Sequence, residues 1–225
     1  MRGGAQAVAP DENFDFVGTA KNPLGLEVAV PAGGQNTIRI SYFRTQGRGN
    51  SNLAADATLL DTPFSAGDYI ETNDIIQNVK VSWDFLTWPV SRGERKIRFK
   101  TLWEGQWVSF GTHISAPLAP VNENAPSGNY PSLTKNLILP TFGGELTEAP
   151  VPHFRWEIKG SGFGIPHHGD IWDAEASLAF RFGHVELIAG GKAFHYKMSP
   201  QSDQYFIQTL WGPYAGIRYY LEKPE

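Results

Sequence analysis

From Asp173 to Phe182 the chain alternates without a break. Ala174, Ala176, Leu178, Phe180 and Phe182 are apolar, and Asp173, Glu175, Ser177, Ala179 and Arg181 are polar or small. Successive side chains of a strand point to opposite faces, so this period of two predicts a half-buried strand with one charged face. Gly183-His184 turns the chain and Val185 to Met198 returns. After Ser199 to Asp203, a last strand follows. Its odd positions read Tyr205, Ile207, Thr209, Trp211, Pro213, Ala215, Ile217, Tyr219 and Leu221, and its even positions include Gln208, Gly212, Gly216 and Arg218. One face is thus apolar over most of its length, with aromatics near both ends. A strand that crosses a bilayer in a barrel needs this pattern.

The same period recurs upstream. Ile38, Ile40 and Tyr42 oppose Arg39 and Ser41 within a strand expected over Thr37 to Thr45. Val79, Val81, Trp83 and Phe85 oppose Asn78, Lys80, Ser82 and Asp84 within Asp68 to Trp88. Ile97, Phe99, Trp103 and Trp107 oppose Arg98, Lys100, Glu104 and Gln106 within Lys96 to Ile114. Asn136 to Glu148 alternates poorly, and Pro140 with Gly143-Gly144 suggests a bulge or bend there. Phe154, Trp156 and Ile158 oppose Arg155, Glu157 and Lys159. With the three strands above, the expected fold is all-β: an eight-stranded antiparallel up-and-down transmembrane barrel over residues 37–222. An irregular, weakly structured extension over residues 1–36 precedes it, with only Leu24 to Val30 strand-like. The connections alternate long and short, as they do in outer-membrane barrels with long outward loops and short inner turns.

Composition sets the class without naming an activity. The chain has 225 residues, no cysteine and a net charge of −4, so a disulfide framework and a thiolate zinc site are excluded and nucleic acid is not an expected partner. No apolar run is long enough for a transmembrane helix. Met1-Arg2-Gly3-Gly4-Ala5 has no apolar signal-peptide core, so an exported form has already lost its signal.

Alternation does not say which face is inside. An eight-stranded interior is only just wide enough for its own side chains. Trp83, Trp103, Trp107, Trp156 and Trp211, with Phe180 and Tyr219, would overfill it but suit a lipid-facing surface, with indole and phenol at the headgroup level. The opposite face then holds a mixed charge network: Arg39, Lys80, Asp84, Arg98, Lys100, Glu104, Arg155, Glu157, Lys159, Asp173, Glu175, Arg181 and Arg218. Charges taken from water must be paired or hydrated, and this mixture allows both.

With these strands in place, the chain resembles small bacterial outer-membrane β-barrel proteins, broadly those of the outer-membrane protein A transmembrane type. Ser161-Gly162-Phe163-Gly164, Trp172-Asp173-Ala174-Glu175-Ala176 and Gly190-Gly191-Lys192-Ala193-Phe194 are similar to segments of uncharacterised barrels of Gram-negative bacteria. The resemblance covers about residues 37–222 and departs at the end, where Glu222-Lys223-Pro224-Glu225 replaces a terminal aromatic residue. It implies a fold, a place in the outer membrane and contact with lipid, including outer-leaflet lipid, but no activity.

The chemistry-bearing motifs are few. His167-His168-Gly169-Asp170 offers two imidazoles and a carboxylate, but neighbours on an extended chain point apart, so no metal is assigned. Gly160-Ser161-Gly162-Phe163-Gly164 runs into Pro166 with no helix after it, so it is no dinucleotide loop and no cofactor is expected. His153, Glu157 and Ser161 share a strand face like an acyl-hydrolase set, yet same-face neighbours lie roughly 6.5–7 Å apart, too far for direct relay. No catalytic residue is assigned. The expected function is structural or surface-interacting, with a closed polar lumen and outward loops at 46–66, 117–135, 164–170 and 199–204 as contact sites for envelope partners. The alternatives are a lipid-modifying barrel enzyme, a soluble lipocalin-like ligand-binding barrel and a narrow, porin-like channel for small solutes.

Overall fold

The computed structural model describes residues 17–33, 36–60, 62–92, 95–119, 130–165, 169–201 and 204–219. The strands are β1 (Val17–Pro31), β2 (Thr37–Asn52), β3 (Ala57–Leu59), β4 (Thr62–Phe64), β5 (Tyr69–Arg92), β6 (Arg95–Ser115), β7 (Ser132–Val151), β8 (Phe154–Ile165), β9 (Gly169–Phe182), β10 (Val185–Gln201) and β11 (Gln204–Tyr219). All but β3 and β4 form one antiparallel sheet of nine strands in the order β1-β2-β5-β6-β7-β8-β9-β10-β11. Each long strand therefore pairs with its neighbour in sequence, as in a meander. The sheet curls into a barrel-like wall, because side chains of strands far apart in that order touch across its inner face.

Eight long strands are those expected from alternation. The ninth, β1, lies in residues expected to be a weakly structured extension. It pairs with β2 from Val17↔Asn50 to Pro31↔Thr37, with one irregularity between Lys21 and Leu24. Its alternation is real: Leu26, Val28 and Val30 pair with the outward Tyr42, Ile40 and Ile38, while Glu27 reaches the inward Arg39. The small residues and prolines around it weaken the pattern at sequence level. The described strands also run further than expected. β2 reaches Asn52, and β8 and β9 reach Ile165 and Gly169, leaving less loop than the spans 46–66 and 164–170 suggested. Part of the first of those loops is the β3–β4 hairpin, with Ala57↔Phe64 in register.

The bulge expected near Pro140 is absent from the β6–β7 ladder, which runs without a shift from Ile97↔Glu148 to His113↔Ser132. Pairing with β8 starts only at Phe142↔Gly162, so Pro140 sits where one flank of β7 has no ladder to interrupt. The described register shifts fall at Lys21/Leu24, Leu86/Trp88, Glu148/Val151 and Met198/Gln201. The tight turn from β9 to β10 uses Gly183 at φ 62°, a left-handed conformation that costs glycine little.

An odd number of strands has a geometric result. β1 and β11 run in the same direction, and among the described residues no ladder joins them. Glu27 of β1 and Arg218 of β11 nevertheless approach to 3.5 Å, so the two edges of the sheet meet through side chains.

The inner face has two zones. Toward the β9–β10 and β7–β8 turns it is charged. Toward the other end it is apolar: Ile76, Val108, Phe110, Leu139, Ile171, Phe194 and Tyr196 form one buried cluster. Beyond it the β3–β4 hairpin folds inward, packing Leu53, Ala57, Leu59 and Phe64 against Ile70, Ile114 and Ala116.

Candidate functional site: the charged interior

The inward face of each strand follows from its period of two. On β5 it is Asn78, Lys80, Ser82 and Asp84, all buried, while Val81, Trp83 and Phe85 are exposed. On β6 it is Leu102, Glu104 and Gln106, and on β9 it is Asp173 and Ser177. Polar residues inside and apolar residues outside is the reverse of a soluble core.

Two hubs organise the charges. Arg39 is the first. Its guanidinium lies 2.8 Å from Asp84, 3.0 Å from Glu145, 3.4 Å from Glu27 and 3.6 Å from Glu157, and it thus ties β2 to β1, β5, β7 and β8. Lys80 is the second, with Nζ 2.8 Å from Asp173 and 3.3 Å from Glu104. Uncharged groups complete this level. Gln106 donates to Thr141 Oγ1 at 3.1 Å and to Asp173 at 3.2 Å, and its own carbonyl accepts from Asn78 at 3.0 Å. Ser161 and Thr141 both donate to Glu104, and Ser82 donates to Asp84.

Lys159 spans Glu175 at 3.2 Å, Glu157 at 3.7 Å and Glu27 at 3.8 Å. Lys100 lies 3.6 Å from Glu145. Near the turns, Glu186 accepts from Arg155 at 2.9 Å and from Arg218 at 3.0 Å. Lys192 marks the junction of the two zones, since its ammonium is 3.8 Å from Glu175 and 5.7 Å from the centre of the Phe43 ring. Tyr214 crosses to donate to Glu175. A side chain at Gly190 would place its Cβ 2.9 Å from the Tyr214 ring and 2.3 Å from the carbonyl of Ala176, so only glycine lets Tyr214 reach across. Beside the hubs, ≈ 10 Å³ is left for the centre of a water molecule, about what one water needs.

Most of the residues expected inside do meet. Arg39, Asp84, Lys100, Arg155, Glu157, Lys159, Glu175 and Arg218 are linked by ion pairs into one group, and Lys80, Glu104 and Asp173 form a second beside it. Arg98 is half-buried on the face of Lys100 and makes no ion pair among the described residues. Arg181 sits at the turn, where its Nε donates to the carbonyl of Gly183 at 3.1 Å. Four members were missed: Glu27, Glu145, Glu186 and Lys192. Glu27 lies in the supposed extension and Glu145 in the poorly alternating β7. Glu186 and Lys192 do share the parity of Phe194, which an alternation count over β10 would have found.

The expected outward aromatics face outward. Trp83, Trp103, Phe180, Trp211 and Tyr219 are exposed, and Trp107 and Trp156 are half-buried on the same face. Trp156 also donates its indole N–H to Glu148 at 3.1 Å. The set His153, Glu157 and Ser161 is not assembled. His153 is exposed in the β7–β8 turn, whereas Glu157 serves Arg39 and Ser161 serves Glu104. His167 and His168 lie outside the described residues, and Asp170 faces His195 instead, Oδ1 to Nε2 at 3.2 Å.

Comparison with protein-family models, with curated proteins and with solved structures finds no match to this chain. What it can do therefore rests on its own geometry.

Proposed function

We propose that the chain is a β-barrel of a bacterial outer membrane whose interior is closed and whose role is structural or surface-interacting. The observation that carries this reading is the polarity of the wall: charges are buried inside while large apolar side chains stand in the open outside. On β9 the outer positions run Trp172, Ala174, Ala176, Leu178, Phe180 and Phe182, exposed throughout. A barrel strand crosses the hydrocarbon core in about 9–11 residues, and this stretch is of that length. Aromatics stand at both of its ends, as they do in membrane girdles. Among the described residues no helix is long and apolar enough to cross a membrane, so any crossing would be made by strands.

A closed interior is supported by the packing. Seven cationic and eight acidic side chains of the ion-pair network fill one zone, and the cluster around Phe110 and Tyr196 fills the other. Such a wall leaves its contacts with partners to the segments that join the strands.

Two measurements test this. The refolded protein is expected to float with liposomes in a density gradient and to need detergent otherwise, and brominated acyl chains are expected to quench Trp103. Protein that stays soluble and monodisperse without detergent would overturn the membrane reading. In planar bilayers the inserted protein is expected to be silent, and a large steady conductance would replace the closed barrel with a pore.

A further inference from the structure

Three side chains on the outer wall form a chain of close polar contacts that has no part in the interior network. Asp170 of β9, His195 of β10 and Thr209 of β11 all lie on the outward parity of their strands. His195 and Thr209 are cross-strand partners, and His195 Nδ1 is 2.7 Å from Thr209 Oγ1. Asp170 pairs with Lys197 in register, so its carboxylate reaches His195 diagonally, 3.2 Å from Nε2. The Trp172 ring stacks on the imidazole, centroids 5.3 Å apart and planes 14° from parallel, which fixes the orientation of the ring. The carboxylate beside Nε2 favours the tautomer with its proton there, in which Nδ1 accepts from the Thr209 hydroxyl. Hydroxyl, imidazole and carboxylate stand in the order of an activated nucleophile, its base and the group that orients the base. The imidazole is only 17% exposed, while Thr209 is open on the surface.

We infer that this is an acyl-transfer site for carboxylic esters of lipids, with Thr209 as nucleophile and His195 as general base. Asp170 is a positioning residue. Thr209 Oγ adds to the ester carbonyl carbon while its proton passes to His195 Nδ1. The bond from that carbon to the alcohol oxygen then breaks, and Nδ1 returns the proton to the departing oxygen, leaving the acyl group on Thr209. Water adds to this acyl ester, giving a proton to Nδ1. The carbon–Oγ bond breaks, Nδ1 reprotonates Thr209, and a fatty acid departs. No oxidant, reductant or metal enters the balance.

The surroundings select the substrate. Next to the chain, the outward positions of β9 and β10 are Ala174, Ala176, Gly191 and Ala193. An extended acyl chain laid along the wall there meets nothing larger than a methyl group until it reaches Leu178, with Trp211, 83% exposed, beside it on β11. The preference for lipid rests on the membrane reading above, whereas the relay itself does not.

The test uses the full chain in detergent micelles, with 4-nitrophenyl butyrate as a soluble ester and phosphatidylcholine in mixed micelles as a lipid ester. Both are expected to be hydrolysed. His195→Ala should lower the rate by about 10²-fold or more, the usual share of a general base, and Thr209→Ala should bring it to background. Thr209→Ser, which keeps the hydroxyl, should retain activity. Asp170→Asn should lower kcat with KM unchanged, and Asp170→Glu should restore part of the loss. His184→Ala, at the far end of the wall, should leave the rate unchanged. Far-UV circular dichroism checks that each variant is folded, and the exposed Thr209→Ala and Thr209→Ser pair keeps the test decisive if His195→Ala is not. Absence of hydrolysis of either ester, or full activity in Thr209→Ala, overturns the site. Hydrolysis of the soluble ester alone overturns the lipid preference, whatever liposome flotation shows about the membrane.

Discussion

At the scale of single residues, polarity decides what a substitution costs. Arg39 is buried and faces four carboxylates. Removing one partner of a buried ion network leaves the others uncompensated and costs about 3–5 kcal/mol. Arg39→Met should therefore lower the urea midpoint of the folded protein strongly, as followed by tryptophan fluorescence, and a midpoint within error of the parent would show that the carboxylates are hydrated rather than paired. The outer face has the opposite rule. Leu178 is 48% exposed, and an arginine there would be harmless in water but costs roughly 2–4 kcal/mol near a bilayer midplane. Leu178→Arg is expected to destabilise the protein refolded in liposomes. Equal stability with and without the substitution would argue that this face meets water. Residue types of this kind were legible in the sequence wherever alternation was unbroken, as on β9. They were not legible on β7, where Pro140, Gly143 and Gly144 interrupt the pattern and hide Glu145, one of the carboxylates closest to Arg39.

At the scale of elements, the β3–β4 hairpin changes what the long connection after β2 does. Residues 46–66 were expected to be an outward loop. Instead Leu53, Ala57 and Leu59 are buried against Ile70 and Ile114, so the segment is part of the packing. Protease acting on the folded protein should spare it, with cutting confined to exposed positions such as Ala66 and Gly67. Leu59→Ala removes a side chain only 2% exposed and should cost about 2–5 kcal/mol of local packing. The readout is faster proteolysis between β2 and β5 with β9 to β11 unaffected, and unchanged cleavage would mean the hairpin is not anchored through Leu59. This hairpin was illegible for a physical reason. Its strands are three residues each, too short for a period to register, and its apolar residues pack on the ends of β5 and β6 rather than on a face of their own. β1 was legible only in part, as the strand-like stretch Leu24 to Val30. Its outward Leu26, Val28 and Val30 alternate, but the residues around them are Gly, Pro and Ala, whose small side chains blur the two faces.

At the scale of the whole molecule, the strand count bears on how the wall is finished. Eight antiparallel strands would bring the first and last strands together antiparallel, and a backbone ladder could close them. With β1 added, the first and last strands point the same way, and among the described residues Glu27 of β1 reaches Arg218 of β11 at 3.5 Å, while it also lies 3.8 Å from Lys159 of β8. The Glu27 side chain is 32% exposed, so these attractions feel dissolved ions. The edge-to-edge join is thus an electrolyte-sensitive clasp in a structure otherwise stitched by amide hydrogen bonds. Raising salt from about 0.01 to 1 M, which shortens the screening length from roughly 30 to 3 Å, should speed hydrogen–deuterium exchange of β1 and β11 amides and leave β5 and β6 amides protected. Uniform protection at all salt concentrations would mean that the backbone itself closes the wall. A molecule built this way carries its own line of weakness, placed by parity and bridged, among the described residues, through Glu27. The first breach under heat or pulling force falls there.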